Sequence, residues 1–299
     1  MANLSPDEIG FHQASESGSV TDLQNIIKKI TNSRDDEERT PLHKAVQKGD
    51  TEMVKFLIDN GADVNAQDVN GLTPLYVTAY AVNGNITIAK MLIEKEAIVH
   101  AKTKIGCTPL YAASVSGHLE IVKCLIENGA NVNTMTKRAC TPLTIASQKG
   151  HLEVVKCLIQ NGAEINLRGI DGHTSLHFAA GYGHLEIVQH LIENGAVIDE
   201  KNANGHTPLF LATNYEKHDV ANYLIEIKNM RAEDEIPKEN YSNKDPCIIC
   251  TAPKNGLYVL LPCGHASLCE ACCIRIRYGN PKNCPSCKTP INSYQKIFI

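Results

Sequence analysis

Toward the C-terminus, cysteine and histidine recur as Cys247-x2-Cys250-x12-Cys263-x-His265-x3-Cys269-x2-Cys272-x11-Cys284-x2-Cys287. These residue types at these spacings point to zinc. A Cys-x2-Cys knuckle can place two thiolates on one tetrahedral ion at about 2.3 Å, and imidazole is an equally suitable donor. Eight such ligands suffice for two closed, four-coordinate sites that are structural rather than catalytic, because no position stays open for water. Of the chain's 12 cysteines, eight fall between Cys247 and Cys287, and in a reducing compartment such crowding means metal rather than disulfide. Cys273 is the surplus thiol; its neighbour Cys272 fits the spacing better. Spacing alone leaves open whether the ligands pair sequentially or interleave. A segment of roughly 55 residues has little core of its own and needs such staples.

The rest of the chain is laid out as a repeat. Thr-Pro-Leu recurs at Thr40, Thr73, Thr108, Thr141 and Thr207, with Thr-Ser-Leu at Thr174, at intervals of 33, 35, 33, 33 and 33 residues. A fixed period of this length marks a solenoid. Thr is a good N-cap and Pro fits the first turn, so each Thr-Pro starts a short helix. A loop glycine follows at Gly49, Gly84, Gly117, Gly150 and Gly183. A second helix is expected next, with an apolar face carried by Met53, Val54, Leu57 and Ile58, by Ile121, Val122, Leu125 and Ile126, and by their counterparts at Val154 and Ile187. Asn-Gly-Ala at Asn60, Asn128, Asn161 and Asn194 then ends that helix on a glycine with positive φ. One such unit cannot bury its own face, so neighbours must stack.

The pattern, N-G-L-T-P-L-Y through G-H-L-E-I-V-K-C-L-I-E-N-G-A-N-V-N, resembles the ankyrin repeat. Six repeats are expected over residues 38–226, preceded by a degenerate capping repeat within residues 1–37 in which FHQASESG stands in place of PLHxAxxxG. Departures are local: two extra residues before Gly84, Glu96 where a helix-ending glycine belongs, Ala139 in the hairpin before Thr141, and Glu216 at the last loop glycine. The resemblance implies a binding scaffold that meets an unknown protein target through its hairpin tips and its row of first helices. Lys102, Lys104, Lys137, Arg138 and Arg168 give the middle tips a basic edge, read either as a solvated rim or as a dock for an acidic partner. The stacked pairs Cys107–Cys140 and Cys124–Cys157 are expected to be buried small thiols rather than metal ligands. His118, His151 and His184 belong to the hydrogen bonding of the repeat.

Periodicity stops over residues 227–244, a charged, Pro-interrupted stretch that reads as a mobile linker. Residues 245–299 resemble the RING family, most nearly the RING of inhibitor-of-apoptosis proteins, in LLPCGH at Leu260–His265, the compact H-x3-C-x2-C and the QKIFI tail. The baculoviral repeats of those proteins are absent. The resemblance implies interleaved sites, two Zn(2+) per chain: Cys247, Cys250, Cys269 and Cys272 on one ion, Cys263, His265, Cys284 and Cys287 on the other. A plant-homeodomain finger would want its histidine later in the order.

The resemblance also implies an activity. RING ligases carry no catalytic nucleophile; they bind a ubiquitin-conjugating enzyme charged with ubiquitin and hold the thioester in an attack-ready pose, which is catalysis by proximity and orientation. Ile249 and Pro285 fall at the positions that form the groove for that enzyme. Lys288 falls where many RINGs carry a linchpin arginine; it keeps the charge but loses the planar fork. Phe298 matches the aromatic that supports a RING homodimer and contacts ubiquitin from the partner subunit. The expected fold class is therefore mainly α, an ankyrin solenoid followed by a small α+β two-zinc RING domain. The expected function is a RING-type ubiquitin-protein ligase; the alternative is a non-catalytic ankyrin adaptor with a structural zinc module.

Bulk properties exclude other classes. A formal net charge of −4 with 21% charged residues offers no basic excess for nucleic acid. No apolar run approaches the roughly 20 residues of a membrane helix, and MANLSPDEIG lacks a signal-peptide pattern. The expectation is a cytoplasmic or nuclear protein.

Overall fold

A computed structural model describes residues 20–169, 171–234, 258–259 and 295–296. The chain divides into two compact units, Met1–Arg231 and Ala232–Ile299.

In the first unit, α1 (Val20–Thr31) precedes a series of helix pairs. These are α2 (Pro41–Lys48) with α3 (Thr51–Asp59), α4 (Pro74–Tyr80) with α5 (Ile86–Glu94), and α6 (Pro109–Ser116) with α7 (Leu119–Glu127). They continue as α8 (Pro142–Lys149) with α9 (Leu152–Gln160), α10 (Ser175–Tyr182) with α11 (Leu185–Glu193), and α12 (Pro208–Asn214) with α13 (His218–Asp234). Each first helix starts as its sequence dictates. The hydroxyls of Thr73, Thr108, Thr141 and Thr207 accept the N–H of the residue three positions on, satisfying a donor that the helix leaves unpaired. At Thr40 and Thr174 the ring of His43 or His177 closes the box by accepting the N-cap N–H. Gly117, at φ 76°, turns the chain from α6 into α7, a left-handed conformation that costs glycine nothing extra.

Stacking supplies the core. Leu42, Leu75, Leu110, Leu143 and Leu176 of the first helices are buried, as are Ile88, Val122, Leu125, Val155, Leu158, Val188 and Leu191 of the second. Met53 departs from the expected face. It and Phe56 are 46% and 57% exposed, whereas the equivalent Ile121 and Cys124 are covered.

Two side-chain ladders and one set of backbone rungs lock the register between pairs. His118, His151 and His184 each donate from Nε2 to a carbonyl at the end of the preceding first helix, on Ala81, Val115 and Gln148. Asn32, Asn65, Asn133 and Asn166 bridge forward, donating to the carbonyls of Gly61, Glu96, Gly162 and Gly195. Each also accepts an N–H two residues further on, from Asp63, Ile98, Glu164 and Val197. Backbone rungs join neighbouring hairpins: Val69 N–H to Glu37 O, Lys104 to Asn70, Lys137 to Ile105, and Ala203 to Asp171.

The irregular residues adopt the strain their positions impose. Glu96, Ala139 and Glu216 take φ of 64°, 52° and 56°, a conformation that costs a residue with a Cβ roughly 1–2 kcal/mol. Glu38, at φ 59°, is a fourth such position, two residues before Thr40 as Ala139 is before Thr141. The last helix runs through Glu226 to Asp234, so regular structure continues into the segment read as linker.

In the second unit, Tyr258–Val259 and Gln295–Lys296 form a two-stranded antiparallel ladder, Tyr258 opposite Lys296 and Val259 opposite Gln295. It joins the stretch between Cys250 and Cys263 to the tail beyond Cys287.

Candidate docking surface and zinc finger

Five hairpins are organised by the side chain of the residue that opens them, and the fifth in chain order opens on Gly169, which pairs with His173 through backbone alone. Asp35 Oδ1 accepts from Glu37 and Arg39, Asp68 Oδ1 from Asn70 and Leu72, and Asn202 Oδ1 from Asn204 and His206. Thr103 and Thr136 replace that acceptor with a hydroxyl, taking the N–H of Cys107 and of Cys140. The tips are thus fixed from below by side chain and from the side by the backbone rungs. The residues between are free to face a partner.

The wall of first helices beside the tips is rich in aromatics. Tyr76 stacks on Tyr80 at 6.4 Å, and His206 on Phe210 at 4.1 Å. Tyr182 receives a hydrogen bond from Gln148 at 2.8 Å. Between the first two pairs, the two extra residues of the α4–α5 loop raise Val82 to 93% exposure. A groove of about 460 Å³ opens there, lined by His43, Val46, Leu72, Tyr76, Tyr80 and Val82 among others. Sequence periodicity exposed the insertion but not the groove.

The buried histidines and thiols of the array are structural. His43 bridges Thr40 and the carbonyl of Leu72, and His177 bridges Thr174 and the carbonyl of His206. Burial pushes both imidazoles below their usual range, so they are neutral at physiological pH. Cys107, Cys124 and Cys157 are buried and Cys140 half-buried, all free. Burial raises each thiol, which suppresses the thiolate that reactivity needs. Among the described residues no group of three or more His, Cys, Asp or Glu side chains could hold a metal.

The basic edge is smaller than the sequence suggested. Lys102, Lys104, Lys137 and Arg138 are exposed, but Arg168 is engaged, its guanidinium on Glu200 at 3.1 Å and on the carbonyl of Lys201. It ties one repeat to the next as Arg34 does through the carbonyl of Gln67. Cys247, Cys250, Cys263, His265, Cys269, Cys272, Cys284, Cys287, Ile249, Pro285, Lys288 and Phe298 lie outside the described residues. Their donor set, seven thiols and one imidazole, suits a borderline-soft tetrahedral ion. No helix among the described residues is long and apolar enough to cross a membrane.

Comparison with known proteins agrees with both halves. Ankyrin repeats match in three copies over residues 11–103, 79–169 and 167–234, and a zinc finger of C3HC4 type (RING finger) matches residues 243–294. A human protein, Transient receptor potential cation channel subfamily A member 1, is 31% identical over 84 residues, 27% of this chain and 8% of its own length. The zebrafish (Danio rerio) Probable E3 ubiquitin-protein ligase MGRN1 is 32% identical over 72 residues, 24% of this chain and 13% of its own. The Notch-regulated ankyrin repeat-containing protein of Xenopus tropicalis is 31% identical over 84 residues, 26% of this chain and 74% of its own. The chain thus spans less than a seventh of the first two relatives. With the ankyrin match running over most of its length, and a RING finger at its C-terminal end, the chain belongs to the ankyrin-repeat family.

Proposed function

We propose that this protein is a RING-type ubiquitin-protein ligase whose ankyrin array recruits the target. The observation that carries the reading is the union, in one chain, of a C3HC4 RING match with an array whose hairpin tips are held in place for a partner. The partial likeness to a probable E3 ubiquitin-protein ligase supports it. Zinc, two ions per chain, supplies cross-links that a small domain lacks. Cys247, Cys250, Cys269 and Cys272 hold one ion; Cys263, His265, Cys284 and Cys287 hold the other. A reducing compartment, cytosol or nucleus, keeps those thiols available.

Catalysis here is positioning. Ile249 and Pro285 present the groove to the charged conjugating enzyme, while Lys288 and Phe298 restrain its ubiquitin, Phe298 across a RING homodimer. A target lysine amine attacks the thioester carbonyl, the amide C–N bond forms, and the C–S bond breaks to release the enzyme's thiol. Tethering the array to the RING raises the effective concentration of target lysines near that carbonyl. Single-turnover discharge of a ubiquitin thioester to free lysine tests this: the wild type accelerates discharge, and Ile249→Ala removes the acceleration. Equal discharge with and without the protein sinks the proposal. Light scattering with and without Phe298→Ala tests the dimer; a monomer in both removes the role of the tail. Lys288 favours a second reading, a non-catalytic adaptor, which would bind the target but leave discharge unchanged.

A further inference from the structure

Tips three and four differ from the first two in charge balance. At the first hairpin, Asp35 forms ion pairs with Arg39 at 3.2 Å and Lys44 at 3.0 Å, and Glu37 pairs with Arg39 at 3.3 Å. The cations of that tip are thus held by its own carboxylates. At the third and fourth, the opening residue is Thr103 or Thr136, so the carboxylate that Asp35 and Asp68 supply at the same position is missing. Four exposed cations, Lys102, Lys104, Lys137 and Arg138, stand there, and none makes an ion pair within 4.0 Å among the described residues. The two tips are joined by the rung from Lys137 N–H to Ile105 O. Ile105 itself is 65% exposed at the centre of the group. Asp171, on the following tip, is the neighbouring carboxylate, and it pairs with none of the four.

From this we infer that tips three and four are the docking point for an acidic segment of the recruited protein, a stretch of Asp and Glu carrying an aliphatic or aromatic side chain that covers Ile105. The inference rests on the reading that the array recruits a protein, and names the chemistry of what it recruits. Carboxylates meet the four cations without displacing an internal partner, and the exposed isoleucine gives an apolar anchor at the centre of the charge. Complementarity of this kind sets approach rate and choice of partner. Threonine in place of aspartate keeps the turn's hydrogen bond to the residue four positions on while removing its charge, so the cations of these tips stand without a carboxylate in the turn.

The test uses the full zinc-loaded chain and a fluorescein-labelled peptide of Glu and Asp around a central Leu, followed by anisotropy, with a Lys/Arg peptide of equal length as control. The acidic peptide binds saturably and the basic one does not. Lys104→Glu with Arg138→Glu weakens binding by about a hundredfold or more. Thr103→Asp with Thr136→Asp touches no tip cation, restores the acceptor that Asp68 already uses, and weakens binding roughly tenfold at unchanged helix content. Equal binding of the two peptides, unchanged binding by either double variant, or displacement of the acidic peptide by a single-stranded oligonucleotide overturns the inference. These variants leave residues 245–299 intact. Peptide binding without ubiquitin discharge therefore removes only the ligase reading, and discharge without peptide binding removes only this one.

Discussion

Replacing Gly117 by alanine tests the lock that sets the spacing of the array. Gly117 sits at φ +76°, and a Cβ there would stand 2.6 Å from Nδ1 and 2.7 Å from Cε1 of His151. The ring must move, and its Nε2–H then loses the carbonyl of Val115, now 3.0 Å away. Two costs add: about 1–2 kcal/mol for a Cβ in the left-handed region, and about 1 kcal/mol for the broken hydrogen bond. Gly129 isolates the first cost, because it has φ +86° and nothing within 4 Å of its added Cβ. Gly117→Ala is therefore expected to cost about 2–3 kcal/mol and Gly129→Ala about 1–2 kcal/mol. His151→Ala alone costs about 1 kcal/mol. The double variant Gly117→Ala/His151→Ala costs no more than Gly117→Ala, a coupling of about 1 kcal/mol. Urea unfolding of the four variants, followed by far-ultraviolet circular dichroism, gives each value. Equal losses for Gly117→Ala and Gly129→Ala, or strict additivity in the cycle, would refute the histidine lock.

Four further outcomes are expected. Ser147 Oγ is buried without a hydrogen-bond partner, whereas Ser114 Oγ donates to Leu110 O at 2.8 Å; Ser147→Ala should stabilise by about 1 kcal/mol and Ser114→Ala should not, and equal effects in urea titrations would count against this. Glu96→Gly relieves a left-handed residue at φ 64° and should stabilise by about 0.5–1 kcal/mol after the added chain entropy of glycine; a lower thermal midpoint would contradict it. His43, His173 and His177 are pushed below the ordinary 6.5 by burial, so the unfolded chain binds their protons first and stability falls as pH drops below about 6.5 toward the depressed folded values. The double change His43→Gln/His177→Gln should flatten that fall in thermal midpoints across the range, and an identical slope would argue against it. Native mass spectrometry should find two zinc ions per chain, with Cys272→Ser losing one and Cys273→Ser losing none; the reverse would exchange the ligand assigned.

Much of the array was legible in its residues. The Thr-Pro-Leu period placed the first helices and their buried leucines, because capping chemistry and burial act within one repeat. Glu96, Ala139 and Glu216 were readable as left-handed positions for the same reason: the neighbouring repeats carry glycine there. Glu38 was legible in the same way, since it stands two residues before Thr40 where Gly71, Gly106, Gly172 and Gly205 stand before their threonines. Arg168 was read as part of a basic edge since charge is visible in sequence while its reach to Glu200 and the carbonyl of Lys201 depends on the stacking of the next repeat. The groove beside Val82 was hidden for a similar reason, needing the loop's insertion to be set against the first hairpin. The contrast between Asp35 or Asp68 and Thr103 or Thr136 was present in the sequence, yet acquired meaning only when the hydrogen bonds showed these residues in one structural role. The proposed zinc ligands remain legible from spacing alone.

The central claim, that the RING of this chain promotes ubiquitin transfer, is tested most directly by reconstitution. The full zinc-loaded protein is combined with ubiquitin, an activating enzyme, ATP and each of several conjugating enzymes in turn. At least one combination is predicted to build ubiquitin conjugates that Ile249→Ala abolishes while zinc content stays unchanged. No conjugates with any conjugating enzyme, from protein that retains its zinc, would contradict the account and leave the adaptor.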